Sequence, residues 1–434
     1  MNRIIVFICC ILSAISVSAQ EMLTLGEAIQ IGLANNYDIK LSENTAETSK
    51  NNLRYGVWGM MPTVTGNLTD VNNITSSDVE LTAGGSRTAT NAKNTALNYG
   101  AGLNWKIFDG LQMFTNYDRL KEFDKLGELN VKLSVQTTIA DIIAAYFDLV
   151  SQKQQLQATH TALEVSHIRL KNADSRYKMG KGSKLELLAA KVDLSADSSQ
   201  LLKQEYMFSS SKTKLNELLA RSLDITFQVA DTIIIDQNLD YQNLKTLTDS
   251  QNPFLQTAVI NQKIAELNLK EVKGARYPTV ALTSGYNFAK TTSPPTGFSI
   301  KSNSHGFNYG LTASLNIFNG LQQNRNEKNA RLEVENSKIN QEKLIQNINA
   351  QLLNAFQNYQ TSLKLVAVEQ RNIDVAKENL DITLEKYRLG SIVPLELREA
   401  QRNYVNANAR YMDAQYQAKL AEVSLKEIAG NIDL

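Results

Sequence analysis

Apolar side chains recur every seven residues along two long stretches of this chain. Ile142, Leu149, Leu156, Leu163, Leu170 and Tyr177 mark the first, and Leu352, Tyr359, Val366, Ile373, Leu380 and Tyr387 the second. Residues 111–179 contain one glycine, Gly127, and no proline; residues 321–389 contain neither. Sustained heptads without helix breakers predict long coiled-coil helices, each on the order of 100 Å. Return helices are predicted over about 183–221 and 395–429, with Leu187, Leu194, Leu201, Phe208 and Leu215, then Leu397, Tyr404 and Tyr411, in their seams. Between outgoing and returning segments lie SRYKMGKGSKLELLAAK (175–191) and EKYRLGSIVPLELREAQ (385–401). Gly180 and Gly390 can take a positive φ and end a helix. Ser183 is a candidate N-cap, and Pro394 fits the first turn of the next helix. Both stretches read as tips of helical hairpins.

A second pattern has period two. Leu97, Tyr99, Ala101, Leu103, Trp105 and Ile107 alternate with Asn, Gly and Lys, and Phe307, Tyr309, Leu311, Ala313, Leu315 and Ile317 do the same. With PTVTGNLTDV and Val280, Leu282, Tyr286 and Phe288, this predicts strands over about 62–72, 97–108, 278–288 and 307–318. Their length and alternation suit an outer-membrane barrel; a half-buried strand of a soluble sandwich alternates similarly. The polar residues 73–96 read as a surface loop. Asp109 and Asn319 each precede a glycine and can cap the helix that follows. Four strands cannot close a barrel, and an open edge is not tolerated in lipid. A barrel therefore needs strands from other chains, and three copies would give twelve. Their long and return helices, four per chain, would form a second, helical tube.

Both patterns occur twice. NYGAGLNWKIFDGLQ (98–112) answers NYGLTASLNIFNGLQ (308–322) at an offset of 210, the offset that also relates the tips. Met61-Pro62-Thr63-Val64 answers Tyr277-Pro278-Thr279-Val280 at 216. The chain therefore reads as a first repeat over 20–223, a connector over 224–250 with short β-like runs (ITFQV, TIIID), and a second repeat over 251–430. The extra six residues fall between Pro62 and Tyr99.

Composition narrows the address. Residues 1–19 carry Arg3, an apolar run and VSA before Gln20, the pattern of a signal peptide. Cys9 and Cys10 are the only cysteines and lie within it, which leaves a mature chain without thiol chemistry. Removing Arg3 from 45 basic residues leaves 44 against 44 acidic, a balance that does not suggest nucleic acid. After residue 19 no helical membrane span is expected, so entry into a membrane would be through strands. His160 and His167 are seven apart, outside the spacing of a zinc helix; His305 reads as a loop residue. No catalytic constellation stands out, so an enzyme is not expected, and no cofactor or metal site is implied. Trp58, Trp105, Tyr99 and Tyr309 suit an aromatic girdle. A periplasmic coiled-coil structural or adaptor protein is the alternative, though such a protein has no need of an apolar strand face.

LTLGEAIQIGLANNYDI after the leader, IFDG and IFNG at the strand-to-helix junctions, RYKMG…LELLAA with YRLG…PLELREAQ at the tips, and LNELLA at a helix end resemble the TolC family of outer-membrane efflux proteins. The resemblance covers essentially the whole mature chain. It implies an α+β membrane protein, a homotrimer with a twelve-stranded barrel in the outer membrane of a Gram-negative bacterium and a periplasmic α-helical tunnel. Such a protein is the exit duct of a tripartite efflux or type I secretion system, joined through a periplasmic adaptor to an inner-membrane pump. It also implies an acidic gate ring at Glu396 and Glu399, a closed-state link between Tyr387 and Glu186, and adaptor docking at the tips around Gly180 and Gly390. Where the family's prototype carries a basic residue two places after the tip glycine, this chain has Ile392, so closure would use fewer contacts or borrow Lys181 or Lys184.

Overall fold

The structure is a computed structural model that describes residues 22–230, 232–293 and 300–432; the leader at 1–19, with Pro294 and Pro295, lies outside the described residues. In chain order the elements are α1 (Leu25–Asn35), α2 (Tyr37–Gly56), β1 (Thr63–Glu80), β2 (Ser86–Phe108), α3 (Gln112–Lys178) and α4 (Lys184–Leu218). Then follow α5 (Tyr241–Gln251), α6 (Pro253–Gly274), β3 (Thr279–Thr292), β4 (Lys301–Ser314), α7 (Gln322–Arg388) and α8 (Pro394–Ala429). A 3-10 turn, Val57–Met60, follows α2. The order ααββαα thus occurs twice. The chain forms two compact units, each drawing on both repeats: one contains Leu129–Gln256, the other Thr45–Glu128 and Thr257–Glu342.

In the second of these units the strands form one antiparallel sheet in the order β1-β2-β3-β4. Its register brings like faces together. Leu68 lies opposite Tyr99, Tyr99 opposite Phe288, and Phe288 opposite His305. One row over, Ala101 faces Tyr286 and Tyr286 faces Phe307. Tyr99 and Phe288 stack with ring centroids 4.9 Å apart. This face carries Val64, Leu68, Phe307, Tyr309 and Leu311, all exposed, while Thr65, Gly102, Gly285 and Asn308 alternate onto the other. A contiguous apolar face of this kind is foreign to water.

The other unit is built on helix packing. Ile29, Ile142, Leu149, Leu215 and Leu219 form a core with Phe227 and Val229, and Leu244, Leu352, Tyr359 and Leu425 form a second. Asn36 and Asn252 play matching parts between paired helices. Asn36 Oδ1 accepts from the backbone N–H of Asp38 and Ile39, and its amide donates to the Leu218 carbonyl at 3.0 Å. Asn252 Oδ1 accepts from Phe254 and Leu255, and its amide donates to the Ile428 carbonyl at 2.8 Å. Each asparagine therefore caps the helix after it and satisfies an orphan carbonyl of a return helix.

Several expectations change. The polar stretch 73–96 continues the sheet: β1 and β2 stay paired from Thr63↔Asn104 to Glu80↔Ser86, and the turn narrows to residues 81–85, with Gly84 and Gly85 at positive φ. Alternation signals a strand only where one face is apolar, and here both faces are polar. His305 belongs to β4, with its ring against Phe288. The last strand ends at Ser314 instead of 318. Among the described residues the β-like runs of the connector form only an isolated bridge, Met22↔Gln228, and its second half is α5. Phe227, Val229 and Ile233 look strand-like because they are core residues. Helix α3 contains an 18-residue window of mean hydropathy 1.3, of which 44% is buried within the protein, long and apolar enough by composition for a membrane span and equally suited to a core helix. In the seams, Tyr387 is buried but Tyr177 is 42% exposed.

The return helices end alike. Gly430 has φ 75°, with its N–H and that of Asn431 bonded back to Glu427 and Lys426. Ala220, 210 residues earlier, makes the same pair of bonds at φ 48°. A Cβ in this region costs about 1–2 kcal/mol. Ala220→Gly is therefore expected to stabilise the fold by about 1 kcal/mol after the entropy of glycine is counted, read as a raised melting temperature in detergent.

Candidate functional site: the hairpin tips

Both tips close by the same hydrogen bonds. Gly180 (φ 73°) donates to the Tyr177 carbonyl and Lys181 to Arg176; Gly390 (φ 75°) donates to Tyr387 and Ser391 to Lys386. This is the Schellman arrangement, and its left-handed residue favours glycine. The restarts differ. Ser183 accepts from the Glu186 N–H at 3.1 Å, whereas α8 starts on Pro394 with no side-chain cap at Val393.

Beside the tips lies a cleft of about 450 Å³, with Leu185, Val393 and Leu395 as apolar walls and Arg169, Glu186 and Tyr387 among its polar lining. The structure thus brings Tyr387 and Glu186 to one cleft, although no hydrogen bond joins them among the described residues. Glu186 has Arg176 at 3.9 Å as its cationic neighbour, not Lys181 or Lys184. Burial pushes the Tyr387 phenol up and the Glu186 charge adds to this, while Arg169 and Arg176 oppose it. Tyr387 also belongs to a core with Val165, Leu380 and Leu397, against which Ile392 packs. Ile392 is therefore a packing residue. Glu396 and Glu399 are exposed on the first turns of α8. Glu399 accepts from Arg402 at 2.7 Å, an exposed i,i+3 pair of small energy. His160 and His167 are exposed, and no His/Cys/Asp/Glu group among the described residues is arranged to hold a metal.

A charged network next to the cleft escaped the sequence. Arg169, nearly fully buried, donates to Asp193 at 2.6 Å, and its Nε and Nη1 have no hydrogen-bond partner among the described residues. Arg398 donates to Asp197 at 2.7 Å and lies 3.6 Å from Asp193. Asp197 also accepts from Ser166 and, at 3.0 Å, from Gln401. Gln401 donates as well to the Ala162 carbonyl at 2.6 Å. Burial would lower the pKa of Arg398, but its hydrogen bond to Asp197 and the charges of Asp197 and Asp193 raise it. The network ties α3 and α4 of one hairpin to α8 of the other. One signal was present in the sequence: at the repeat offset, Arg398 answers Leu188, Asp197 answers Ala407 and Gln401 answers Lys191. The two copies disagree where one hairpin meets the other.

Comparisons with known proteins agree with this architecture. The family described as "Outer membrane efflux protein" matches residues 75–221 and 246–431. The cation efflux system protein CusC of Escherichia coli K12 is 21% identical over 331 residues, 72% of this chain and 70% of that protein. TolC of Vibrio cholerae is 19% identical over 306 residues, 68% of each. Among solved structures, the CmeC outer membrane channel of Campylobacter jejuni superposes with a TM-score of 0.76 at 18% identity, covering 94% of this chain and 85% of that one. The open-state MtrE channel of Neisseria gonorrhoeae gives 0.69 at 16% identity, covering 94% and 89%.

Asp197→Ala removes an acceptor shared by three side chains. It is expected to cost about 1–3 kcal/mol, seen as a lower melting temperature and faster amide exchange in the segments around Ser166 and Gln401. With Arg398→Ala added, the loss should be smaller than the sum of the two single losses, since both variants break one network.

Proposed function

The chain belongs to the outer membrane efflux protein family, and from that premise we propose that three copies assemble into one continuous export duct. Each copy contributes its four strands to a shared barrel and its four long helices to a periplasmic tube. The duct receives its cargo from an inner-membrane pump through a periplasmic adaptor. The observation that carries this reading is the sheet. It presents an exposed apolar face and leaves β1 and β4 unpaired on their outer sides among the described residues. A coiled-coil adaptor without a channel would have no use for such a face. The duct is organised as the repeats 20–223 and 251–430 joined by 224–250, and the leader 1–19 directs its secretion across the inner membrane.

The tips are the periplasmic entrance on this reading. Adaptor hairpins dock against the turns at Gly180 and Gly390, where Met179, Leu185, Leu389 and Val393 are exposed beside basic residues. Tyr387 and Glu186 brace the closed state from their shared cleft, and opening releases the Glu186 side of that cleft. Glu396 and Glu399 from three copies give six carboxylates around the opening, with Arg402 screening half of them. Two unit charges about 6 Å apart repel by roughly 0.7 kcal/mol in bulk water, enough to favour cations and hold a multivalent one.

Conductance of the purified protein in planar bilayers tests the duct and its gate together. The native protein should form cation-preferring pores blocked by multivalent cations. Glu396→Gln with Glu399→Gln should keep the pore and lose both the preference and the block. Pores with unchanged selectivity would remove these glutamates from the gate, and a protein that forms no pore would contradict the duct.

A further inference from the structure

The cleft beside the tips holds polar groups that its own neighbours leave unused. Four helices supply its charged and phenolic lining: Arg169 comes from α3, Glu186 and Asp193 from α4, Tyr387 from α7 and Arg398 from α8. Most of these charges are spent on one another. Asp193 takes Arg169 at 2.6 Å, and Arg398 lies 3.6 Å from Asp193 and 2.7 Å from Asp197. Two groups are left over. Arg169 is only 4% exposed, and its Nε and Nη1 have no hydrogen-bond partner among the described residues. Glu186 Oε1 is likewise buried without one, since Arg176 at 3.9 Å is beyond hydrogen-bond range. No ion pair joins Arg169 to Glu186 among the described residues, so the two needs do not cancel.

Buried polar groups are normally satisfied, and an exception calls for a partner. The cleft has the volume of a ligand pocket, about 450 Å³. Small residues make the room, for Ala173 and Ala190 line it and are buried. Leu185 and Leu395, 77% and 75% exposed, give it apolar flanks. A complementary ligand brings an oxyanion to Arg169, a cation to Glu186 and an apolar body to the leucines. A carboxylate alone would meet the charge of Glu186, and an amine alone that of Arg169. The Tyr387 phenol, which burial keeps protonated, can donate as well. At the repeat offset Glu186 stays glutamate as Glu396, but Arg169 becomes Asn379 and Asp193 becomes Asn403. The constellation therefore occurs once in the chain.

We propose that this cleft binds a small zwitterion with an apolar body, an amino acid or short peptide with hydrophobic side chains. Its carboxylate lies on Arg169, its ammonium on Glu186, and its side chains lie against Leu185 and Leu395. Such a ligand touches both hairpins at once and clamps them together. On the duct reading, on which this consequence rests, an occupied cleft keeps the entrance closed. The site itself needs only the folded tips.

Calorimetric titration of the purified protein in mild detergent tests the site, with the dipeptide leucyl-phenylalanine as probe. The dipeptide should bind, and its N-acetyl and C-amide forms should each bind roughly tenfold more weakly, because each loses one charge-assisted contact. Glu186→Gln should weaken the dipeptide by a similar factor and should not weaken the N-acetyl form. Ala189→Trp, at an exposed position on the cleft wall, should abolish binding without lowering the melting temperature. Equal affinity for all three forms would overturn the charge pairing and reduce the cleft to an apolar patch. Absence of binding to the folded protein, or binding that survives Ala189→Trp, would overturn the site. In planar bilayers the bound dipeptide should lower pore opening, and unchanged opening at saturation would overturn the clamp. A protein that binds the dipeptide in this way but forms no pore would contradict the duct and leave the site standing.

Discussion

Backbone groups along the outer edges of β1 and β4 set the terms for this molecule. In hydrocarbon each unpaired N–H or C=O costs several kcal/mol, and a four-stranded antiparallel sheet leaves two such edges. The apolar face formed by Val64, Leu68, Tyr286, Phe307 and Tyr309 asks for lipid, and the edges forbid it to a lone chain. The way out in the family is a closed barrel assembled from several chains. A sheet too small to close by itself then becomes a means of assembly, since the chain can enter the membrane only in company.

Duplication explains how one chain supplies so much of a ring. The sheet register, the asparagine caps at 36 and 252, and the Schellman turns at Gly180 and Gly390 are each built twice from similar residues. Departures from the likeness are as informative as the likeness. Ala220 holds a left-handed conformation where the second repeat has Gly430, a cost the first repeat tolerates within a well-packed core. Arg169, Asp193, Asp197 and Arg398 have no counterparts at the repeat offset, because they join one hairpin to the other and do not belong to either alone.

Much of this fold was legible because its signals are local. Heptads free of glycine and proline located α3 and α7 to within a residue or two, and Gly180, Pro394, Asp109 and Asn319 marked turns and caps by their own chemistry. Asp109 does accept from the Met113 N–H and Asn319 from Gln323. What escaped depends on partners distant in sequence. The strands over 73–96 are polar on both faces and lack the alternation that identifies a strand in lipid. Phe227 and Val229 are apolar because they fill a helical core, and their β-branched neighbours imitated a strand. The Arg398–Asp197 bond spans 201 residues, and at each end it looked like another charge on a solvated helix. Tyr387 was legible as a seam residue, whereas its cleft, with Glu186 and a buried Arg169, required the packed hairpins.

The central claim is that the sheet is completed by other copies of the same chain, and the number of copies in the intact particle measures it most directly. Native mass spectrometry of the protein released from mild detergent should give a single species of three chains, each lacking its leader, with four strands apiece to make twelve. A stable particle of one chain, its β1 and β4 edges protected from amide exchange, would contradict the account. The sheet would then have found another way to satisfy its edges.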